Sequence, residues 1–518
     1  MNNKKEYRRI LFLHLDGIVL SSTINSLIKT KLIYHIYKLK YFTINDLKIN
    51  NHAINEGYLN VALRLLRTLN FLDFIDYNDE YLNQYKVKKN LTNFLKYENL
   101  IVKIAQMHTY YTKMDFINDD EYIKLSTLME ETINILNDVK NNIPEINYYN
   151  LEGAIVGPLL SHLSFNKNFN IAQNTLSILN VNCNLEKNIY NLLKRIGFIN
   201  TKHNLTQKGA FFISKSSSYG VTVSYLPMLN NISELLIGNC NFIWDRDNEN
   251  NEIHVNRSMN VWGSGGTHKT YFKKIDKIIE DIFNQKIEKQ PKGIIDIGCG
   301  DGTFLEHIYN IITTRTIRKD YLDTYPLHMI GTDINKAARI SSRARLNKSN
   351  INNVIINGNI SEPSEINNLL TTEYDLKLID FLNTRSFLDH NRIFENPKNE
   401  YPHNIKTTGT FCFRGKIINA NTLINNLIKH LKKWSMFVNK HGLILLELHT
   451  INPDITKNNL GKILAASYDA THGYSDQYLV EHEVFMECCK KANLNILEDT
   501  LELFPNKDFP TVSINYIK

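Results

Sequence analysis

Cysteine is scarce in this chain. Its 518 residues hold six, Cys183, Cys240, Cys299, Cys412, Cys488 and Cys489, with no CxxC pair among them. That spacing excludes a disulfide framework and fits a reducing compartment. A concentrated basic stripe is missing too. The formal charge of +7 is small for the length. Runs such as Lys86, Lys88 and Lys89, or Lys432 and Lys433, are short and read as solvated faces, so no nucleic-acid partner is expected. No apolar window reads as long enough for a membrane span. The N-terminal run ILFLHLDGIVL is broken by His14 and Asp16 and lacks a small-residue cleavage site, so it is not read as a signal peptide. A cytoplasmic protein with no membrane partner is expected.

What is present is ordinary for a globular protein: 43% hydrophobic and 22% charged residues. The length exceeds what one core usually holds and implies roughly two to four domains. Residues 1 to about 285 are helix-dominated by pattern. Two segments read as helical modules ending in a wing. In NEGYLNVALRLLRTLNFLDFID, Leu59, Leu63, Leu66 and Leu69 share a helix face, and a strand follows from Phe71. In NLEKNIYNLLKRIGFINTKHNLTQKGAFFI, a helix precedes Gly197-Phe198-Ile199 and then Leu205-Thr206. A DNA-reading winged helix would carry a basic recognition helix. These carry few basic residues, so packing or dimerisation is expected, and a homodimer is allowed. Residues 95–180 between them read as amphipathic helices.

From residue 290 the pattern alternates. GIIDIG, HMIGTDI, NVIINGNI, YDLKLIDFLN and HGLILLELHT read as strands separated by helices, with LNILEDTLEL and PTVSINYIK as a C-terminal pair. Such alternation implies a mostly parallel, doubly wound sheet with its ligand crevice at the carboxyl ends of the strands. The expected organisation is therefore a helical, winged-helix-like region over 1–150, a helical lid with a second such module over 151–285, and a Rossmann-like α/β core over 286–518.

Strand GIIDIG opens directly into Gly298, Gly300 and Gly302, a side-chain-poor turn that lets backbone approach a ligand. Asp296 precedes the turn and Asp333 ends the next strand, in GTDIN. Cys299 reads as packing and Asp301 as ordering the turn. This arrangement resembles the class I S-adenosylmethionine-dependent methyltransferases. The resemblance implies Asp296, Gly298, Gly300 and Asp333 at the methyl donor, with Asp333 accepting the ribose hydroxyls. It places Asn359 and Ile360, after strand three, at the adenine.

NVWGSGGTHKTYF, DFLNTRSFLDHNRIF, THGYSDQYLVEHEVF and SSSYGVTVSYLPMLNNISELL narrow the resemblance further. They resemble the metal-dependent, apratoxin-type C-methyltransferase that initiates some modular polyketide synthases. That family implies methylation of a malonyl-type unit on an acyl carrier protein, with one bound iron or manganese ion. Carbon methylation needs a stabilised enolate, which a divalent metal chelated by two substrate oxygens supplies. The family pattern puts the metal on His449 and Gln477, with His472 as a third candidate. Arg385 is a candidate clamp for a carboxylate, and His390 a candidate general base. Trp262, Gly263, Ser264, Gly265, Gly266 and His268 read as a loop folded over the methyl donor. Tyr219, Tyr225 and Pro227 read as shaping the lid. The alternative is a metal-independent O- or N-methyltransferase of a small molecule, with winged-helix dimerisation.

Overall fold

The computed structural model describes residues 2–48, 54–75, 84–113, 119–248, 251–398 and 401–518, with backbone alone at 2, 119 and 266–269. The N-terminal half is built around helix α1, Asn2–Lys29. Within Asn3–Lys29 an 18-residue window has a mean hydropathy of 1.4, so by length and composition this helix could cross a membrane, contrary to the expectation that no window is long enough. It is a core helix here, with 94% of that window buried inside the protein. Against it lies α3, Glu145–Phe165, which is buried along nearly its whole length. Paired glycines set the approach. A Cβ on Gly17 would fall 1.8 Å from the Asn150 carbonyl oxygen, and one on Gly153 would fall 2.0 Å from the His14 Cα.

Helix α2, Glu56–Thr68, packs beside α1 and leads into the antiparallel hairpin Leu72–Ile75 and Gln84–Val87, with Tyr41–Phe42 as a third strand. The first module is thus a helix followed by a wing, as the sequence implied. In the second module the wing is slight. Only an isolated bridge joins Ile199 to Leu205. A hairpin over Phe169–Ala172 and Thr175–Ile178 stands where helix was expected. Gln173 and Asn174, at φ 48° and 68°, form its two-residue turn, the conformation that matches the twist of paired strands. One continuous hydrophobic core runs from Ile10 to Met259 through both modules and takes in Cys412, Ala466, Ala470 and Tyr474 from the C-terminal half.

The C-terminal half carries a seven-stranded sheet. Its strands are β1 Gly293–Ile297, β2 His328–Thr332, β3 Asn353–Ile356, β4 Leu382–Ser386, β5 Leu443–Leu448, β6 Glu502–Phe504 and β7 Val512–Ile517. The order across the sheet is β3-β2-β1-β4-β5-β7-β6. Strands β1 to β5 are parallel, and β7 runs antiparallel to both β5 and β6. Chain order reverses between β1 and β4, so the crevice for a ligand opens beyond their carboxyl ends. The fourth strand lies later than its apolar pattern suggested, because Leu378–Asp380 forms a 3-10 turn and the strand itself is the polar stretch LNTRS. The expected C-terminal pair is present, with its first strand reduced to Glu502–Phe504.

Candidate active site

The glycine turn leaves β1 at the crevice. Gly298, Gly300 and Gly302 all have positive φ, at 75°, 53° and 80°. The Gly298 and Cys299 N–H groups donate to the Thr332 carbonyl at 2.8 and 2.9 Å, which ties the turn to the end of β2. Cys299 is buried, its thiol packed on Gly331. Asp301 caps helix α6, Thr303–Arg315, by accepting from the Thr303 N–H at 3.1 Å, and pairs with Arg345 at 2.7 Å. A Cβ built on Gly300 meets no atom within 4 Å, so the backbone there fronts open space.

Asp333 stands beside that space. Its Oδ2 accepts the Gly300 N–H at 3.1 Å and its Oδ1 the Asn335 N–H at 2.8 Å. Burial pushes its carboxyl upward, against those two N–H groups and the charges of Arg257 and Arg339. Arg257 was not singled out from sequence. It opens helix α5, Arg257–Phe272, and pairs with Glu252. Asp296 lies deeper. It is buried, its Oδ1 accepts from the Thr384 hydroxyl at 2.9 Å, and burial, then the nearby Asp333 charge, carries its pKa up to about 8. It braces β1 against β4. Asn359 turns the chain after β3 by accepting the Ser361 N–H at 2.9 Å, and the Ile360 carbonyl accepts from the Trp434 indole at 2.8 Å.

The segment expected as a loop over the crevice is helical. Trp262, Gly263, Ser264 and Gly265 lie within α5, which packs on α4, Ser217–Ser224, through a close Gly263–Gly220 contact. Trp262 meets Phe165 edge to face at 5.5 Å. Gly265 faces open space. The side chain of His268 lies outside the described residues.

Beyond the ends of β4 and β5 lies a second cluster. The short turn Asp389–Asn391 presents His390 to Glu447 of β5. His390 Nδ1 lies 2.6 Å from Glu447 Oε1, and the His390 N–H donates to Oε2 at 3.2 Å. Two bonds from one carboxylate fix both the ring and its peptide. Against an ionised carboxylate Nδ1 is the donating nitrogen, so Nε2 is the one left free of Glu447. The rings of His390 and His472 meet at 5.0 Å. His472 lies on helix α8, Ala465–Tyr474, with its Nδ1 2.7 Å from the Tyr468 carbonyl oxygen. Burial, then the neighbouring His390, lowers its pKa to about 3, so it is neutral. Next to it is a polar chamber of about 10 Å³, which Arg64, Thr450, Asp469, His472 and Gln477 line. That is the room of roughly one water molecule.

Two expected roles do not survive this geometry. Arg385 is no substrate clamp. Its side chain is 0% exposed, 3.1 Å from Asp389 and 4.6 Å above the Trp434 ring of helix α7, Ala420–Val438. It points from β4 into the core beneath α7, where Asp389 also binds His430 at 3.0 Å. His449 is not joined to His472 and Gln477. Its Nε2 lies 2.7 Å from the Ser513 hydroxyl and its Nδ1 3.3 Å from the Val480 carbonyl. Both nitrogens are engaged, and burial holds the ring well below its ordinary pKa. Among the described residues no group of three or more His, Cys, Asp or Glu is placed to hold a metal ion. With both ring nitrogens hydrogen-bonded elsewhere, His449 is not presented to a metal together with His472 and Gln477 in this arrangement. Glu447 went unremarked in the sequence, although an acid inside the apolar run LILLEL was its signal.

Comparison with known families places these features. Residues 252–515 match the model of the AprA MT2-like domain, residues 152–239 that of the AprA winged helix domain, and residues 7–74 that of the AprA N-terminal domain. No curated protein matches the chain. Among solved structures, the mitomycin 7-O-methyltransferase MmcR is 10% identical over 97% of this chain and 95% of its own, with a TM-score of 0.31. The CurJ carbon methyltransferase is 11% identical over 89% and 98%, at 0.31. An O-methyltransferase family protein from Burkholderia thailandensis is 9% identical over 78% and 98%, at 0.33. Likenesses this distant carry no residue-level information. The first family model alone covers more than half of the chain, which therefore belongs to the AprA MT2-like family of methyltransferases.

Proposed function

We propose that this enzyme transfers a methyl group from S-adenosylmethionine to the acidic carbon of a malonyl-type acyl unit carried on an acyl carrier protein, in polyketide-type biosynthesis, with His390 as the general base. The observation that supports this most directly is the His390–Glu447 pair, 2.6 Å apart beside the crevice. A carbon flanked by carbonyls is methylated only once its proton is removed. An imidazole whose tautomer a buried carboxylate fixes suits that step, and Glu447 offsets the charge the ring gains.

The methyl donor fits the first cluster. The turn at Gly298 and Gly300 gives it backbone without side chains, and Asp333 gives a carboxylate for paired ribose hydroxyls. When bound, the donor supplies an electrophilic methyl on a sulfonium. The protein's contribution is then to align the nucleophilic carbon, exclude water and hold the proton on His390 Nε2. The metal that the sequence resemblance implied is not built into this reading, because His449 is spent on Ser513 and Val480.

A second reading, transfer to the hydroxyl or amine of a small molecule, is favoured by the same dyad, which works without a metal. The test is incubation with labelled S-adenosylmethionine and malonyl- or methylmalonyl-loaded carrier protein, with and without manganese, iron or chelator, followed by intact mass. One added methyl on the acyl carbon, retained under chelation and lost in His390→Gln, supports the proposal. Loss under chelation restores the metal, and labelling of hydroxyl or amine acceptors alone supports the second reading.

A further inference from the structure

We infer that Arg64, on the N-terminal helix α2, is a positioning residue for the acceptor side of the active site, so that the N-terminal domain is part of the catalytic architecture. This rests on the reading above only in taking His472 and Gln477 as walls of that site.

The inference stands on how α2 and α8 face each other. Tyr58, Val61 and Arg64 recur every three residues along one face of α2. They meet Asp476, Gly473 and Asp469, in reverse order, along α8 and the residues just after it. The Tyr58 hydroxyl donates to Asp476 Oδ1 at 2.9 Å. A Cβ on Gly473 would fall 2.8 Å from the Val61 side chain, so this residue's smallness sets the distance between the helices. Arg64 Nη2 and Nε donate to Asp469 Oδ2 at 2.9 and 3.2 Å. His472 lies between these anchors, and Gln477 directly follows the last of them.

Arg64 does more than pair with one acid. Nη2 also donates to the Thr450 hydroxyl at 2.9 Å, just past the end of β5, and Nη1 donates to the Thr408 carbonyl. One buried guanidinium therefore joins the end of β5, the chain at Thr408 and helix α8, and its side chain lines the chamber shared with His472 and Gln477. Lysine has the charge and three donors, but all on one nitrogen, so it does not reproduce bonds spread over Nε, Nη1 and Nη2 of a planar fork. Asp469 Oδ1 has no partner and is buried, so the pair holds its geometry through Oδ2 alone. Loss of Arg64 would leave that carboxylate uncompensated beside His472 and free α8 to shift. A displacement of about 1 Å at a reacting group can cost on the order of 100-fold in rate.

The experiment compares full-length wild type, Arg64→Ala, Arg64→Lys and Asp469→Asn. S-adenosylmethionine affinity is read by titration, and local opening by hydrogen exchange of segments 465–477 and 293–302. Turnover on malonyl carrier protein is split into kcat and KM, with guanidinium ion added at millimolar concentration. In R64A we expect donor affinity within about twofold of wild type, exchange of 465–477 accelerated at least tenfold with 293–302 unchanged, and kcat down about 100-fold with partial recovery in guanidinium. R64K and D469N should fall between. Unchanged exchange of 465–477 in R64A would overturn the inference, as would a kcat within twofold of wild type. Equal acceleration of both segments would also overturn it, since Arg64 would then support the fold at large. If wild type transfers no methyl to any acceptor offered, the functional proposal fails, and the exchange data decide the present inference alone.

Discussion

Single residues carry the chemistry in this protein, and their protonation states follow from burial. Asp296 titrates near 8 in the folded chain against about 4 unfolded, so between those values the folded state holds the extra proton. Its contribution to stability is full below about pH 4 and lost as pH rises through 8. Asp296→Asn, which keeps the neutral shape, should remove that slope. Urea midpoints at pH 5 and pH 8 should differ less in the variant than in wild type. Asp333 is a different case, because it holds the N–H of Gly300, whose backbone fronts open space. Asp333→Asn should weaken S-adenosylmethionine binding by about tenfold or more, the scale of one charged hydrogen bond, without moving the melting temperature by more than a few degrees. Glu447→Gln should lower kcat by about 10²-fold or more while leaving donor affinity intact, because only the base is misoriented. A pH–rate profile would report this as a shifted or lost ascending limb. Of these residues, Asp333 was legible in sequence because an acid after a buried strand is conspicuous. Glu447 was not, because it sits inside an apolar strand and its partner lies 57 positions away.

Elements show where pattern and structure part. β1 and β2 could be read directly, since both are short buried runs ending in a turn. β4 could not, because Asn383, Thr384 and Arg385 are polar yet buried, and the apolar Leu378–Ile379 just before them forms a 3-10 turn. Those buried polar groups are offset by Asp296 and the Trp434 ring, which are distant in sequence, and by Asp389, four residues on from Arg385. Helix α5 was mistaken for a loop because its glycines resemble a turn. They serve instead for close contact, Gly263 on Gly220. The same device joins α1 to α3. Gly153→Ala would place a methyl 2.0 Å from the His14 Cα, so the helices must separate. Overpacking of this kind costs about 1–3 kcal/mol. The denaturant midpoint should fall accordingly, whereas Gly265→Ala, in open space within α5, should hold or raise it.

At the scale of the molecule, two halves with different architectures share a boundary at α8. Ala466, Ala470 and Tyr474 of that helix belong to the N-terminal hydrophobic core, while His472 and Gln477 face the candidate site. Sequence could not anticipate this, because the contacts span some 400 residues and the first 150 carry no recognisable chemistry. The N-terminal domain contributes Tyr58, Val61 and Arg64 to the wall behind the site. A fragment beginning at residue 252 would expose the apolar face of α8, and should bind a hydrophobic dye that the full chain does not.

The central claim is that the glycine turn after β1 and the carboxylate of Asp333 together cradle the methyl donor. A crystal structure of the full chain with S-adenosylmethionine tests it most directly. The account predicts the ribose hydroxyls on Asp333 and the ligand lying along the backbone at Gly298 and Gly300. Ligand bound elsewhere, or bound there with Asp333 turned away, would contradict it.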